Sequence, residues 1–221
     1  WDADAGKFMP VKWLPRINAP VFLLEAEGAA ATADTIGHFP NTGFGVGLDM
    51  SAAVTHNTAV LGILGIGKSY LAIELVERMI ADGIKIICLD LTNQYAQLLA
   101  EFLDPAHEEA QRLALVTAGE GGVPHQNQEQ GGSHLRFRQE VTHQLRAFLD
   151  PAQQRFLKVI NPAQFEVTRQ ASGMFNNNAN IATLTPTEIT AIVSDAALTV
   201  CQELGMTDQG RVCLVYEEAH S

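Results

Sequence analysis

The segment GILGIGKS at residues 62–69 decides the fold that we predict for this chain. It matches the pattern G-x-x-x-x-G-K-[ST] at every specified position, with Gly62, Gly67, Lys68 and Ser69. The glycines let the backbone turn its N–H groups inward as a nest for an anion at the start of a helix. In such a loop the lysine reaches the β- and γ-phosphates of a nucleotide, and the next hydroxyl binds Mg²⁺. The segment therefore predicts a phosphate-binding loop.

The residues on either side of this loop predict regular elements in a suitable order. Residues 58–61 are a short apolar run of strand length. Residues 69–82 carry apolar side chains at helical spacing and stop at Gly83, a residue that suits a helix end. Residues 84–89 are almost continuously apolar, as in a strand buried on both faces of a parallel sheet. This strand–helix–strand unit predicts an α/β fold with a mostly parallel sheet.

The complete motif and its flanks argue against the alternative, a glycine-rich strand-to-helix turn with an exposed lysine. The expected nucleotide contacts are Gly62, Gly65, Ile66, Gly67, Lys68, Ser69 and Tyr70. Lys68 is also expected to be catalytic, because it neutralises charge on the transferred phosphoryl group. The variable loop positions are unusually apolar, but there the backbone makes the contacts.

A second buried strand, predicted at residues 212–216, ends in two adjacent carboxylates, Glu217 and Glu218. Adjacent acids beside a buried strand are costly unless a cation lies near them. In P-loop ATPases, one acid of such a pair is associated with Mg²⁺ and the other polarises water. We therefore expect Ser69 and Glu217 to hold Mg²⁺, and Glu218 to orient and deprotonate the water that attacks the γ-phosphate of ATP. Without the phosphate loop, a solvated pair of charges would be an equal alternative.

The remainder divides into a β-rich beginning and a mostly helical continuation. Short strands are expected at residues 21–24 and 44–49. Helices are expected at 93–103, where Asp104–Pro105 breaks the helix, at 139–149 and from the capping box of Thr185 and Glu188 to Gly205. A strand is expected at 156–160, and loops at 119–133 and 172–180. The expected domains are a β-rich segment at 1–50 and an ATPase core at 51–221.

Composition limits the classes of function. The chain has 14 Lys and Arg against 25 Asp and Glu, a net charge of −11, which argues against a surface that coats polyanions. No apolar run is long enough to span a membrane, and no secretory leader is recognisable. Cys88, Cys201 and Cys213 are isolated in apolar segments, as reduced core cysteines are. These features predict a cytoplasmic protein without membrane association.

Three segments together resemble the HerA-like ATPases, in the HerA/FtsK branch of RecA-like P-loop motors. They are HNTAVLG at 56–62, which leads into the phosphate loop, LDLTNQY at 89–95, and VYEEAH at 215–220, which is similar to the family's D/E-E-A-H signature. The resemblance covers most of residues 12–221. It implies a RecA-like P-loop core, preceded by the end of an N-terminal β-barrel that includes residues 12–27 and 44–49.

The resemblance also implies an activity and partners. The expected protein is a homohexameric ring that hydrolyses ATP with Mg²⁺ and translocates on duplex DNA. Its relatives work with a nuclease or other effector in DNA processing or anti-phage defence. Residues 119–138 are a candidate DNA contact, because the segment is long and ends in Arg136 and Arg138; a solvated loop is the alternative. A conjugative secretion ATPase and a nucleotide-gated ring scaffold for a partner enzyme are the other functions considered.

The chain departs from the family pattern in places, and several roles stay open. The loop has Leu64 and Ile66 where T-G-S-G is common, and Asn93 and Gln94 stand where G-E is common. Asp90 is either an acid at the nucleotide or subunit edge, or a turn and helix cap. His56 is either a turn histidine or a nucleotide contact, and His220 either a relay towards DNA-facing loops or a helix-start histidine.

The ends of the chain suggest an incomplete core. It begins at Trp1 and stops at Ser221, directly after the acidic motif, so we expect truncation at both ends. In a RecA-like sheet, the strand after the acidic motif lies between the phosphate-loop strand and the acidic strand. That strand carries the γ-phosphate sensor, and an arginine finger usually lies further on. We therefore expect two uncovered apolar sheet edges.

Overall fold

A computed structural model describes residues 35–38, 45–63, 65–120, 132–171, 180–207 and 209–217. The chain forms two compact units, Trp1–Asp49 and Met50–Ser221. In the first, strands β1 (Thr35–His38) and β2 (Gly45–Gly47) pair antiparallel, with an irregularity between Thr35 and Gly37. The strand predicted at 44–49 is thus present in shortened form, whereas the one predicted at 21–24 lies outside the described residues.

The second unit contains helices and a parallel sheet. Its elements are α1 (Met50–Val54), α2 (Lys68–Ala81), β3 (Lys85–Leu89), α3 (Tyr95–Leu98), a 3₁₀ turn (Ala100–Phe102), α4 (Pro105–Glu120), α5 (His134–Leu149), β4 (Leu157–Ile160), a 3₁₀ turn (Pro162–Gln164), β5 (Thr168–Ala171), β6 (Asn180–Thr183), α6 (Pro186–Glu203) and β7 (Val212–Tyr216). No helix among the described residues is both long and apolar enough to cross a membrane.

The parallel sheet has the order β4–β3–β7 and confirms the α/β prediction. Leu89, the last residue of β3, pairs with Ile160 on one side and Tyr216 on the other, so the three carboxyl ends share one edge. Every residue of β3 is buried, as its continuous apolar run predicted. Ile87 and Leu89 belong to a large core that also contains buried side chains of α5 and α6.

The elements predicted after the phosphate loop are confirmed, whereas the strand predicted before it is not. Helix α2 and strand β3 lie within a residue of their expected bounds. The strand predicted at residues 58–61 is wrong, because this segment has no strand structure. A strand needs a neighbour for its backbone hydrogen bonds, and in the described part of the chain β7 pairs only with β3. A cavity is lined by both β7 and residues 58–61 instead.

Two helical predictions need correction. The helix expected at 93–103 is short, because α3 ends at Leu98 and a 3₁₀ turn follows. The helical stretch does end before Asp104–Pro105, as expected, but this pair also begins α4, a helix that the sequence did not predict. The carboxylate of Asp104 accepts hydrogen bonds from the N–H groups of Ala106 and His107, 3.2 and 3.3 Å away, and proline suits the first helical position. Helix α5 begins at His134, five residues earlier than expected.

The region before α6 contains a hairpin that the sequence did not reveal. Strands β5 and β6 pair antiparallel from Thr168↔Thr183 to Ala171↔Asn180. The expected loop at 172–180 falls largely outside the described residues. By contrast, the capping box of α6 is confirmed, since the Thr185 hydroxyl accepts from Glu188 N–H and the Glu188 carboxylate from Thr185 N–H.

Candidate functional site

The phosphate loop has the backbone that its glycines predicted. Gly65 and Gly67 have φ angles of 82° and 92°, a region that side chains with a Cβ rarely adopt. Gly67 is the residue immediately before α2, and its carbonyl accepts the first helical hydrogen bond, from Leu71 N–H at 3.1 Å. This geometry places Lys68 and Ser69 in the first turn of α2, where unpaired helix N–H groups favour an anion.

The loop also closes on itself. The ammonium of Lys68 donates to the carbonyl oxygen of Ile63 at 3.2 Å, so the lysine lies back over its own loop. A Cβ at Gly62 would meet the side chain of Ile66, which is exposed and would have to move aside. The loop therefore combines strict backbone requirements with a lysine that is held by one exposed hydrogen bond.

Large apolar side chains at the loop are strongly exposed. Their exposed fractions are 86% for Leu61, 78% for Ile63, 58% for Ile66 and 79% for Tyr70. Of the seven expected nucleotide contacts, only Lys68 and Ser69 line the cavity beside β7. The other five stay predictions, in which the glycines would contribute backbone N–H groups.

This cavity brings the separate motifs together. Its volume is about 510 Å³, and it is lined by residues 58–61, by Lys68 and Ser69 of α2, by Tyr95 of α3, and by β7 with Glu217. The phosphate loop and the acidic strand end therefore face the same space, although about 150 residues separate them in sequence. A cavity of this size can accept a small ligand.

The acidic strand end is partly described. Glu217 is half-buried, and its N–H donates to the carbonyl of Leu89 at 3.1 Å, which fixes its backbone to the end of β3. Glu218, the predicted general base, and His220 lie outside the described residues. In the described ranges no group of three or more His, Cys, Asp or Glu could hold a metal ion.

Of the two roles considered for Asp90, the structure shows the second, in which its carboxylate holds a turn and the start of a helix. Its side chain is fully buried, and one oxygen accepts from the N–H and the hydroxyl of Thr92 at 3.0 and 2.8 Å. The other oxygen accepts from Tyr95 N–H at 2.8 Å. Both oxygens are therefore used to hold the turn and the start of α3. The Nδ1 atom of His56 lies 2.9 Å from the carbonyl of Ala52, as in a turn histidine, and a nucleotide contact of this exposed residue stays a prediction.

Sequence analysis missed Tyr95 as a site residue. It is 1% exposed, and it lines the cavity together with Glu217. Burial raises the pKa of its phenol, and the negative charge of Glu217 contributes further. The available signal was its position, since a polar aromatic residue lay six positions beyond the end of a buried parallel strand.

The expected DNA-contact segment is described only at its ends. Residues 121–131 lie outside the described ranges, while Arg136 and Arg138 belong to the first turns of α5 and are exposed. Arg138 forms an ion pair with Asp195 of α6. The start of α5 is anchored to the hairpin, because Ser133 N–H donates to the Thr168 carbonyl at 2.8 Å.

A comparison with protein families identifies the chain. The model described as "Helicase HerA, central domain" matches residues 34–170, which is more than half of the sequence. The chain belongs to this HerA family. The match confirms the resemblance drawn from the motifs, and it includes the phosphate loop, Asp90 and Tyr95. Comparisons with curated proteins and with solved structures gave no match.

Membership of the HerA family makes the chain an ATPase of a motor class. The residues at the cavity fit the nucleotide and Mg²⁺ that such an ATPase uses. A hydroxyl and a carboxylate are hard oxygen ligands, and Mg²⁺ is commonly bound by one or two carboxylates together with substrate phosphates and water. Ser69 and Glu217 supply one of each, and both line the cavity.

Proposed function

We propose that this chain is the ATPase core of a HerA-type motor that couples ATP hydrolysis to translocation on duplex DNA. One observation carries the proposal: Lys68 and Ser69 at the start of α2 and Glu217 at the end of β7 line a single cavity. Nucleotide and metal ligands thus converge at the carboxyl edge of a parallel sheet, where such folds bind ligands. The family match supports the motor class.

Each residue has a separate role in the proposed reaction. The backbone at Gly62, Gly65, Ile66, Gly67 and Tyr70 would bind phosphate oxygens through N–H groups. Lys68 would leave the Ile63 carbonyl and neutralise charge on the β- and γ-phosphates, which stabilises the transition state. Ser69 and Glu217 would hold Mg²⁺. Glu218 would accept the proton of the water whose oxygen bonds to the γ-phosphorus as ADP leaves.

The proposed assembly follows the family. It is a homohexameric ring around duplex DNA, acting with a nuclease or other effector in DNA processing or anti-phage defence. The net charge of −11 is compatible with a ring whose basic residues are confined to the DNA-facing surface.

The first experiment measures ATP hydrolysis by the full-length protein with and without duplex DNA. The proposal expects Mg²⁺-dependent hydrolysis that DNA stimulates, and a loss of hydrolysis in Lys68→Ala. Hydrolysis that DNA leaves unchanged would contradict translocation. Glu218→Gln should bind ATP and lose both hydrolysis and biological activity, whereas a nucleotide-gated scaffold would keep its biological activity in that variant.

A second experiment tests DNA contact at the start of α5. Arg136→Glu and Arg138→Glu should each reduce DNA stimulation of the ATPase. Arg146→Glu is the matched control, because Arg146 lies on the same helix and forms an equivalent ion pair with Glu203 of α6. If all three variants retain full DNA stimulation, these arginines do not contact DNA.

A further inference from the structure

A second cavity, of about 220 Å³, is lined by α4 and by residues at the carboxyl ends of β3 and β4. Asn161 directly follows β4, Asn93 follows β3, and both line this cavity. It shares no lining residue with the cavity that Lys68 and Glu217 line. Its polar groups therefore have no part in the reaction proposed above.

Two buried lysines on neighbouring strands differ in the partners of their ammonium groups. Lys85 of β3 is 6% exposed and donates to three backbone carbonyls, at 2.7, 2.9 and 3.2 Å. Lys158 of β4 is 4% exposed and donates to the side-chain oxygens of Gln111 and Gln144, both at 3.1 Å. Since an ammonium has three N–H groups, one donor of Lys158 has no partner among the described residues. A buried donor without a partner is unfavourable, and Lys158 lines the second cavity, where a ligand can supply the acceptor.

The charges around this cavity cancel. Two basic side chains, Lys158 and Arg112, and two acidic ones, Glu108 and Glu109, line it. Arg112 and Glu109 form an ion pair with each other at 2.7 Å. The ammonium of Lys158 and the half-buried carboxylate of Glu108 remain, one a donor and the other an acceptor. This combination favours an uncharged ligand that both accepts and donates hydrogen bonds over an anion or a cation.

The remaining lining combines apolar side chains with carboxamides, among them Leu103, Leu115, Phe165, Asn161 and Gln164. A planar ring with a hydrogen-bonding edge suits such a lining, because its faces can contact apolar groups while its edge meets amides. Asn and Gln side chains pair with nucleobase edges in this way. The volume is below the range of about 300–1,000 Å³ that is common for ligand pockets, so the cavity suits a single ring system better than a whole nucleotide.

We propose that this cavity binds one nucleobase, with the third N–H of Lys158 and the carboxylate of Glu108 as its main hydrogen-bonding partners. The base is either a free base or an unpaired base of a nucleic acid, since both present the same edge. The site is separate from the one that we assign to ATP, so the inference goes beyond the proposed function.

The test adds adenine, cytosine and uracil, one at a time, to the full chain and follows binding by saturation-transfer NMR of the base. At least one base should bind. Ala96→Leu enlarges a side chain that lines the cavity and removes no hydrogen bond, so it should abolish most of the binding. Ala110→Leu is the matched control, because Ala110 is exposed on α4 and does not line the cavity; it should bind like the wild type.

Lys158→Met tests the hydrogen bond itself and should weaken binding by about 10-fold or more. The inference is overturned if none of the three bases binds, or if Ala96→Leu binds as well as the wild type. Because Ala96→Leu keeps the Lys158 network, this result does not depend on the folding of Lys158→Met. Competition distinguishes the two sources: a single-stranded oligonucleotide should displace the base if the site takes unpaired bases, and an abasic strand of equal length is the control. A base that the oligonucleotide does not displace identifies the free base as the ligand.

Discussion

The two walls of the cavity are built in opposite ways. On the wall formed by the strand ends, Asp90 and Tyr95 are buried, and hydrogen bonds fix the backbones on which Tyr95 and Glu217 stand. On the wall formed by the phosphate loop, Leu61 is exposed, and among the described residues Lys68 bonds to the loop's own backbone at Ile63. The first wall depends on tertiary packing, whereas the second depends mainly on backbone geometry.

Because of this difference, the two walls are suited to different functions. The strand-end wall is formed before any ligand arrives, so it can hold metal ligands without reorganisation, which favours catalysis. The loop wall has few interactions to lose, so Lys68 can exchange the Ile63 carbonyl for a phosphate at little cost. Mutations on the loop should therefore affect ligand binding more than stability, and mutations on the strand-end wall should affect stability as well.

The largest effect is expected from Lys68→Ala. It should reduce ATP hydrolysis by about 100-fold or more, because a positioned charge on the transferred phosphoryl group is lost. The free energy of unfolding should change little, since the lysine makes one exposed hydrogen bond. Activity assays and denaturant unfolding on the same sample test both statements. A large loss of stability would show that the loop is packed after all.

Asp90→Ala should give a large loss of stability. It removes the acceptor of three hydrogen bonds and leaves the buried N–H of Tyr95 without a partner, which costs about 2–4 kcal/mol. Asp104→Ala is the control, because Asp104 caps α4 in the same way but is exposed; it should cost about 1 kcal/mol. Urea unfolding measures the free energy of unfolding of both variants. Equal losses would contradict the expected difference between the buried and the exposed carboxylate.

Gly67→Ala and Gly83→Ala separate backbone strain from ligand binding. Both glycines have left-handed φ angles, 92° and 77°, and a Cβ at either position meets no neighbour. Each substitution should destabilise the protein by about 1–2 kcal/mol. Only Gly67→Ala should also weaken ATP binding, as measured by titration. If the two variants bind ATP equally well, the loop conformation is not what binds phosphate.

The smallest effect is expected from Leu61→Ala. Because this side chain is 86% exposed, its truncation should change the free energy of unfolding by less than about 0.5 kcal/mol. Leu157→Ala, at a position that is 1% exposed, should cost about 2–5 kcal/mol. A loss above about 1 kcal/mol in Leu61→Ala would mean that the loop wall is as well packed as the strand-end wall.

The sequence predicted those elements of the fold that depend on the pattern of neighbouring residues. The phosphate loop, α2, β3 and β7 follow from glycine positions, helical spacing and continuous apolar runs, and the family followed from the motifs around them. Residues 58–61 were predicted as a strand from their apolar run, but a strand also requires a partner, which no local pattern reveals. For α4, we interpreted Asp104–Pro105 as a break, although the same pair is a good helix start.

The candidate site shows the same limit of prediction from local sequence patterns. Lys68, Ser69 and Glu217 were expected from motifs, and their presence around one cavity agrees with that expectation. Tyr95 was missed because it shares the cavity with Glu217, a residue 122 positions away, which only the folded sheet brings about. The choice between two roles for Asp90 also required the structure, since capping and ligand binding use the same carboxylate.

The central claim is that the phosphate loop and the acidic strand end hold one metal–nucleotide complex. A double-mutant cycle of Ser69→Ala and Glu217→Gln, measured as ATP affinity at fixed Mg²⁺ concentration, tests it directly. If both side chains bind the same ion, the effects should be strongly non-additive, with a coupling energy above about 1 kcal/mol. Effects that add within about 0.5 kcal/mol would show that the two side chains act at separate sites and would contradict the account.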